Sequence, residues 1–550
     1  MLFRSTPNDI VDDFYEHTRD YRLFQPGAYY PPLDDLPRIA KYRRGRTIFN
    51  GYYSESAYLG HHEVLERASK LLKDTPHAPQ LNKLYIAVNL MDILLTKPAD
   101  LMVGEPPQYE TGKPDDSPEQ KALNRIVENN DLNAQIHESV IGNGYRGDAW
   151  FKVRYGYYDD FSAIPADQIP DNAEMGPIIE HVRADYVFPE TSRGNVKKFK
   201  AVNIAWVEWV ETKTDEVPFL NVERHLPGYI VYERFKLYEP TINNEYGVPI
   251  QVFTIGDRVP TGRENDIEET GVPMLLVDHV PYKSVDDNWQ GVSGVEKLES
   301  VLAAINDRLV QIDYILWKHS DPTLYGPDLE DSTGDSARFG GRYIALKSDD
   351  PTPGAITWNG QLDAAFKELD LLLGLVFQMS ETPQWLFGTS TSADKGGTGT
   401  SHTDSGSIKA RFMPILSKVK RIRIHYDKAI RNALWKAQLL ELAANKGVTG
   451  FKPYTPVYPT INWKDGIPRD EKELAEIMQL RTGGKPTIDQ HSAIKVLDEV
   501  DDDKANETLA RIQDDEERTS GTVDASIFNQ SQAPPEPAEP ADTGGDVDDG

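Results

Sequence analysis

The chain has 550 residues, of which 39% are hydrophobic, so it can build cores for about two to four domains, which excludes a disordered or fibrous protein. Its 59 Lys and Arg face 88 Asp and Glu, and a formal charge of −29 argues against a conventional basic DNA-binding groove. Because the chain has no cysteine, the sequence excludes disulfides, thiolate nucleophiles and cysteine zinc sites, which suits a reducing cytoplasm.

Residues 1–60 are predicted to form an N-terminal extension. They hold no apolar run behind a basic start, so no secretory signal peptide is expected. The most apolar early window, residues 84–103, is interrupted by Asp92, Lys97 and Asp100. A helix that spans a bilayer seldom tolerates such charges, so this window predicts an amphipathic helix and no membrane anchor.

Residues 61–293 are predicted to form one α+β block. The stretch 80–138 has the pattern of helices, whereas apolar and polar residues alternate in short runs between 149 and 282. Alternation with a period of two predicts β-strands, and turn formers such as Pro227-Gly228 separate the runs. We therefore expect helices followed by a mostly antiparallel sheet.

Two long helices around a small insertion are predicted next. Ser293 and Glu296 form a capping box, and the apolar residues that follow repeat by threes and fours, which predicts a helix over 294–319. The same spacing predicts a second helix over 361–380 that packs on the first. The insertion between them, residues 320–360, is rich in Gly, Pro and Asp and is expected to contain β-strands.

A flexible loop is predicted over residues 381–406, because Gly, Ser and Thr make up most of 388–406. Such a loop is either functional or a plain linker. Another long helix begins the segment 407–465, and Pro414 should kink that helix or set its start. The stretch 409–431 has eight basic residues against Asp427 alone, which indicates either proximity to DNA or pairing with acidic neighbours.

The C-terminal part is predicted to contain a helical segment, residues 466–518, and a disordered acidic tail, residues 519–550. Residues 498–550 carry 17 acidic and three basic side chains, and few large apolar residues follow position 519. Such a composition cannot bury enough surface to offset the entropy of ordering. The tail either solvates the protein, which we favour, or binds a partner.

Catalytic motifs are missing from the sequence. The run 142–147 matches G-x-G-x-x-G, but it follows a predicted helix and opens a strand, the reverse of the dinucleotide-binding context. Gly112-Lys113 and Gly484-Lys485 are each followed by proline, so no P-loop occurs, and neither H-E-x-x-H nor G-x-S-x-G is present. We therefore predict no enzyme and no catalytic, cofactor-binding or metal-binding residues, and any ATP hydrolysis is expected in another chain.

Five stretches occur in a characteristic order. They are NLMDILLTKPADLMVGEPPQYE at 89–110, GNGYRGDAWFKV at 142–153, residues 282–300 with GVS at 291–293, WKHSDPTLY at 317–325 and INWKDGIPRDEKELAEIM at 461–478. With a β-rich block followed by helix, insertion, helix, flexible loop and basic helix, this order resembles the portal proteins, or head-tail connectors, of tailed bacteriophages. The resemblance covers most of residues 84–518.

The resemblance implies an α+β portal fold and a role in the virion. Residues 61–293 would be the β-rich wing, 294–319 and 361–380 the stem helices, 320–360 a small α/β clip, 381–406 the tunnel loop and 466–518 the helical crown. Twelve copies would form a ring at one capsid vertex, made in the host cytoplasm. Double-stranded DNA would be packaged and ejected through its channel, and the expected partners are the terminase large subunit, major capsid and scaffolding proteins, and head completion or tail adaptor proteins.

The resemblance also assigns roles to residues. The loop residues expected to meet DNA are Trp385, Phe387, Thr391, Lys395, Thr398 and His402. The residues expected to pack the stem are Leu302, Ile305, Leu309, Ile312, Leu316, Phe366, Leu369 and Leu373. The clip residues expected to face terminase are Tyr325, Asp328, Arg338, Arg342 and Tyr343. No cofactor and no membrane contact is implied.

Two alternatives stay open. The nearer one is another structural protein of the virion, such as a minor head component, which would not form a ring with a through-channel. The more distant one is an acidic carbohydrate-active enzyme, which would need paired carboxylates in an aromatic cleft. The sequence locates no such pair by spacing, and the two helices around an insertion have no role in that reading.

Overall fold

The computed structural model divides the chain into two compact units, Met1–Ile467 and Pro468–Gly550. Apart from isolated residues, it describes 11–15, 22–51, 88–161, 164–211, 215–320, 323–327, 343–346, 354–356, 361–387, 405–464 and 471–521. Both helices and antiparallel sheets build the first unit, which confirms the predicted α+β class. Among the described residues, no helix combines the length and the apolar character that crossing a bilayer requires.

The largest sheet of the first unit is antiparallel, as the alternating pattern predicts. Its path runs β1-β10-β8-β7-β6-β5, and β9 and β11 pair with β10 and β8. The strands are β1 (Tyr29–Tyr30), β5 (Val187–Ser192), β6 (Asn195–Glu211), β7 (Glu216–Leu226), β8 (Tyr229–Leu237), β9 (Thr241–Asn243), β10 (Ile250–Val259) and β11 (Ile267–Glu269). Phe188, Leu220 and Phe235 are buried on one of its faces, and each such side chain contributes about 1.5–3 kcal/mol.

A second, three-stranded antiparallel sheet packs against helices. Its order is β12-β3-β4, formed by Val277–Pro281, Asp148–Tyr157 and Met175–Val182, and a short pair joins β2 (Gln108–Glu110) to β16 (Thr460–Asn462). The helices are α2 (Leu90–Val103), α3 (Pro118–Asn129), α4 (Leu132–Arg146) and α7 (Ser405–Ala444). Phe151 of β3, Ile136 of α4 and Tyr426 of α7 lie in one fully buried cluster.

The N-terminal segment differs from the predicted extension, because the described part of it packs into the core beside the large sheet. Tyr29 pairs with Thr254 of β10, and helix α1 (Leu36–Phe49) buries Leu36 and Ile39 beside the large sheet. β1 has only two residues, so the sequence shows no alternation that would predict a strand there. The strand is identified by its pairing with β10, more than 200 positions away in the chain.

The two predicted long helices are present with the insertion between them. Helix α5 runs over Glu299–Ser320, and helix α6 over Gln361–Met379, as predicted. The start of α5 is later than predicted: the Ser293 hydroxyl accepts hydrogen bonds from the Val295 and Glu296 amides at 3.3 Å, but residues 294–298 form turns. The described part of the insertion has strands β13 (Thr323–Pro327), β14 (Tyr343–Leu346) and β15 (Gly354–Ile356), with β13 parallel to β14 and antiparallel to β15.

Helix α7 contains Pro414 in its interior and begins nine residues before it, at Ser405. Of the two predicted roles of Pro414, setting the start of the helix is therefore wrong. The apolar residues of α7 recur every three or four positions and face the core formed with β3 and α4, and they are Ile415, Val419, Ile422, Tyr426, Ile430 and Leu434.

The second unit is helical in its described part. It contains α8 (Glu471–Thr482), α9 (Gln490–Asp498) and α10 (Asp502–Gly521), with Met478, Ala493 and Ala505 buried. Helix α10 extends to Gly521, whereas the disordered tail is predicted to begin at residue 519. The predicted boundary is therefore at least three residues too early. Glu507 and Arg511 of α10 form an i,i+4 ion pair on a mostly exposed surface. Residues 522–550 lie outside the described residues.

Candidate functional site

The candidate site is the pair of helices α5 and α6 together with the junction that leads from α6 into the predicted loop. The two helices pack on each other, and Leu302, Ile305 and Ile312 of α5 are buried. Leu309, Leu369 and Leu373 are partly buried against the same cluster, which also contains Leu94 and Leu95 of α2 and Val376 of α6. An ion pair between Arg308 and Glu368 bridges the two helices. Six of the eight predicted packing residues are therefore buried or partly buried in this helix pair.

The other two predicted packing residues, Leu316 and Phe366, are 47% and 46% exposed in the single chain. Leu371 is 64% exposed, and Leu375 and Met379 follow it at intervals of four residues. Side chains four residues apart lie on the same face of a helix, so α6 carries an apolar stripe that the described residues leave partly or largely exposed. Exposed apolar surface of this kind marks sites of interaction with another molecule.

The end of α6 is fixed to α7 by charged side chains. Glu381 has a φ of 58°, a left-handed conformation that non-glycine residues rarely adopt. Arg421 of α7 donates two 2.8 Å hydrogen bonds to the two carboxylate oxygens of Glu381. Thr382 is buried, and its amide donates to the Phe377 carbonyl at 3.1 Å. These contacts set the direction in which the chain leaves the helix pair.

Lys418 is a buried cation at the same junction. It is 6% exposed, and its Nζ donates to the Ser380 carbonyl at 3.0 Å and to the Leu94 carbonyl at 3.4 Å. Burial lowers the pKa of Lys418 to about 8, because desolvation penalises the charged form, while Glu381 opposes and Arg421 adds to this effect. The sequence shows Lys418 only as part of a basic stretch. Its buried position could not be predicted, because its acceptors are backbone carbonyls of distant segments, which leave no pattern in the sequence.

The basic stretch of α7 is used largely within the chain. Arg423 donates to the Lys464 carbonyl at 2.8 Å, and Arg431 donates to the Pro459 carbonyl at 2.7 Å and pairs with Asp427 at 3.3 Å. Together with Lys418 and Arg421, these contacts favour pairing inside the molecule over proximity to DNA for four of the eight basic residues. Lys420 and Lys428 are exposed.

The predicted loop and clip residues are only partly described. Trp385 and Phe387 lie in a short 3-10 helix, Gln384–Phe387, directly after the junction. Tyr325 is half-buried in β13, and Tyr343 of β14 pairs in register with Leu324. The remaining predicted residues lie outside the described residues, namely Thr391, Lys395, Thr398, His402, Asp328, Arg338 and Arg342.

The glycine-rich run 142–147 has a packing role. Gly142 to Arg146 end helix α4, and Gly147 has a φ of 98°. A side chain at Gly147 would come within 2.7 Å of the Gly291 carbonyl oxygen, and one at Gly144 within 3.0 Å of Leu95. The Gly294 amide donates to the Gly144 carbonyl at 2.8 Å. Gly147 therefore lets the segment that leads to α5 approach the end of α4 closely, and Gly144 makes room for Leu95 of α2.

Asp148, which follows this run, is a buried carboxylate that joins three segments. It accepts hydrogen bonds from the Tyr42 hydroxyl at 2.6 Å and the Gly291 amide at 2.8 Å, and it contacts His279 Nε2 at 2.7 Å. This network links α1, β12 and the turn before α5. Within the part of the chain that the structure describes, no group of three or more His, Cys, Asp and Glu residues could hold a metal ion.

Comparison with known protein families and curated sequences finds no match for the chain. Its function is therefore inferred from the order of its elements, from the surface of its helix pair and from the residues of the junction.

Proposed function

We propose that the protein is a portal subunit of a tailed bacteriophage, which assembles into a ring at one vertex of the capsid and forms the channel for DNA. The observation that carries the proposal is the helix pair α5 and α6, which encloses a small β-sheet and keeps an apolar stripe uncovered. The residues of this long helical hairpin and of the small sheet between its helices suggest no catalytic role. It is the arrangement expected of a stem and clip.

The uncovered stripe gives a physical reason for assembly. Leu371, Leu375 and Met379 would expose apolar surface to water in a monomer, and burying such surface yields about 25 cal/mol per Å². When the stripe of one copy packs against a different surface of the next, the contact is head-to-tail, and repeated contacts of this kind form a ring if the rotation between neighbouring copies closes. The number twelve comes from the resemblance to portal proteins.

The charge balance is consistent with a channel that lets DNA slide. A net charge of −29 repels the phosphate backbone, and each avoided phosphate contact removes counterion-release affinity that would hold the duplex in place. The paired state of Lys418, Arg421, Arg423 and Arg431 limits the cations of α7 that are free to grip DNA. Packaging would then be driven by a separate terminase, and capsid, scaffolding and tail adaptor proteins would bind other surfaces.

The test is the assembly of the Leu371→Asp variant, observed by negative-stain electron microscopy and analytical ultracentrifugation. Leu371 is suited to this test because it is 64% exposed, so aspartate should leave the single chain folded and block the contact. Ile312 is unsuited, because it is buried in its own chain and its loss would unfold the helix pair. Ile242→Asp serves as the matched control, since Ile242 is 65% exposed on β9 of the large sheet.

Wild-type and Ile242→Asp proteins are expected to form rings with a central hole, and Leu371→Asp is expected to remain monomeric with a native circular dichroism spectrum. Rings formed equally well by Leu371→Asp would remove the stripe from assembly. A wild-type protein that forms no ring, even with its capsid and scaffolding partners present, would favour the minor head component.

A further inference from the structure

A basic and aromatic cavity lies between helix α1 and the large sheet. Its volume is about 400 Å³, within the range of small-molecule sites, and it is open to solvent. Helix α1 contributes Arg43 and Arg46 to its wall, and the sheet side contributes Trp209 and Phe253. None of the contacts of the helix pair or the α6–α7 junction uses this cavity.

The cavity has an excess of positive charge in an acidic protein. Arg43, Arg46 and Arg183 line it, against the single carboxylate of Asp185. Asp185 is already shared, since it pairs with Arg183 at 2.7 Å and with Arg146 at 3.1 Å. Among the described residues, the Arg43 guanidinium donates to the neutral Pro249 carbonyl, at 2.8 Å. These arginines therefore have unused capacity for an anion.

Arg46 is the cation most available to a ligand. Its backbone carbonyl accepts the Asn50 amide at 2.9 Å, but its exposed guanidinium makes no hydrogen bond or ion pair with the described residues. Arg46 and Arg183 also line a neighbouring cavity of about 580 Å³, on whose wall Arg146 and His181 lie. Burial and the charge of Arg146 lower the pKa of His181 to about 4, so the imidazole stays neutral near pH 7 and adds no charge to this wall, which also carries Glu138 and Glu180.

Trp209 supplies an aromatic plane beside these cations. It is 48% exposed, a large fraction for a tryptophan, and it contacts Phe253 edge-on with ring centroids 6.2 Å apart. Trp209 therefore places exposed aromatic surface on the same cavity wall as the arginines. Aromatic rings that stack on bases, together with arginines that bind phosphate, are the combination by which proteins hold single-stranded nucleic acids.

We propose that this cavity binds a nucleotide, with the base stacked on Trp209 and the phosphate held by Arg46 and Arg183. The nucleotide is either a free nucleoside monophosphate or one residue of an unpaired DNA strand, which present the same chemistry. A duplex does not fit, because its bases are stacked and paired and cannot reach Trp209. The inference does not rest on ring formation, and it holds for the single chain.

The experiment is isothermal titration calorimetry of the full-length protein with thymidine monophosphate, with thymidine and inorganic phosphate as separate probes. The variants are Arg46→Gln and Trp209→Ala. Their matched controls are Lys446→Gln and Tyr238→Ala, which change an exposed cation and a 52% exposed aromatic outside the cavity. Circular dichroism verifies that each variant is folded.

Thymidine monophosphate should bind the wild type and both controls equally, and each cavity variant should weaken it about tenfold, the equivalent of one lost stacking or charged contact. No binding by the wild type at millimolar concentration would overturn the proposal. Phosphate that binds as tightly as the nucleotide, or unchanged binding by Trp209→Ala, would overturn the stacking role. A short single-stranded thymidine oligonucleotide that binds more tightly than the monophosphate would identify the strand as the source, and equal affinity would identify the free nucleotide.

Discussion

Replacing Lys418 by methionine should change how the stability of the protein depends on pH. Lys418 is buried, and its ammonium group binds the Ser380 and Leu94 carbonyls. Its pKa is about 8 in the folded protein, against 10.5 when the side chain is in water. The folded state therefore holds this proton less tightly than the unfolded chain does, because burial penalises the charged form.

The sign follows from proton linkage. Between pH 8 and 10.5 the unfolded chain keeps the Lys418 proton and the folded protein loses it, so the free energy of unfolding rises with pH in this window. The full difference between the two pKa values corresponds to about 3 kcal/mol, and about 2 kcal/mol of it accrues between pH 7 and 9.5. Methionine also leaves two carbonyls without a donor, at a cost of about 1–3 kcal/mol that does not vary with pH.

The assay is urea unfolding at pH 7 and pH 9.5, followed by circular dichroism, for the wild type, Lys418→Met and Lys420→Met. The stability of the wild type relative to Lys418→Met should increase by about 2 kcal/mol over this range, because the other titrating groups are common to both proteins. Lys420→Met, which removes an exposed cation from the same helix, should track the wild type. Equal pH dependence of the wild type and Lys418→Met would refute the burial of a titrating ammonium at the junction.

Two further substitutions test the packing that positions the helix pair. Gly147→Ala should lower the free energy of unfolding by about 2 kcal/mol or more, because the new side chain would lie 2.7 Å from the Gly291 carbonyl oxygen and the φ of 98° would be strained. Gly228→Ala is the control: its φ of 92° is similar, but no neighbour lies within 4 Å, so it should cost only the strain. Equal urea midpoints for the two variants would exclude the close approach. Asp148→Asn should cost about 3 kcal/mol in the same assay, because an amide cannot accept from all the donors around this carboxylate, and a loss below about 0.5 kcal/mol would contradict the network.

Local patterns were sufficient where one element has a strong period of its own. The heptad spacing of 361–379 predicts α6 with its observed bounds, and the alternation in 149–282 predicts the antiparallel sheets. The start of α5 at Glu299 could not be read in the same way. The Ser293 hydroxyl accepts the amides that a helical cap would bind, but residues 294–298 form bends and turns, and the preceding Gly291 lies against Gly147, a contact that no local pattern reports.

The sequence by itself determined the class of the fold and the order of helix, insertion, helix and long helix, because these depend on spacing along one segment. Only the tertiary structure decided that Ile312 is buried while the described residues leave Leu316 and Phe366 about half exposed, since a heptad pattern reports an apolar face and not what covers it. Only the tertiary structure shows that Lys418 is buried and that Arg46 and Trp209 line one cavity. Their partners come from segments far apart in the chain, and burial and charge balance exist only once those segments meet.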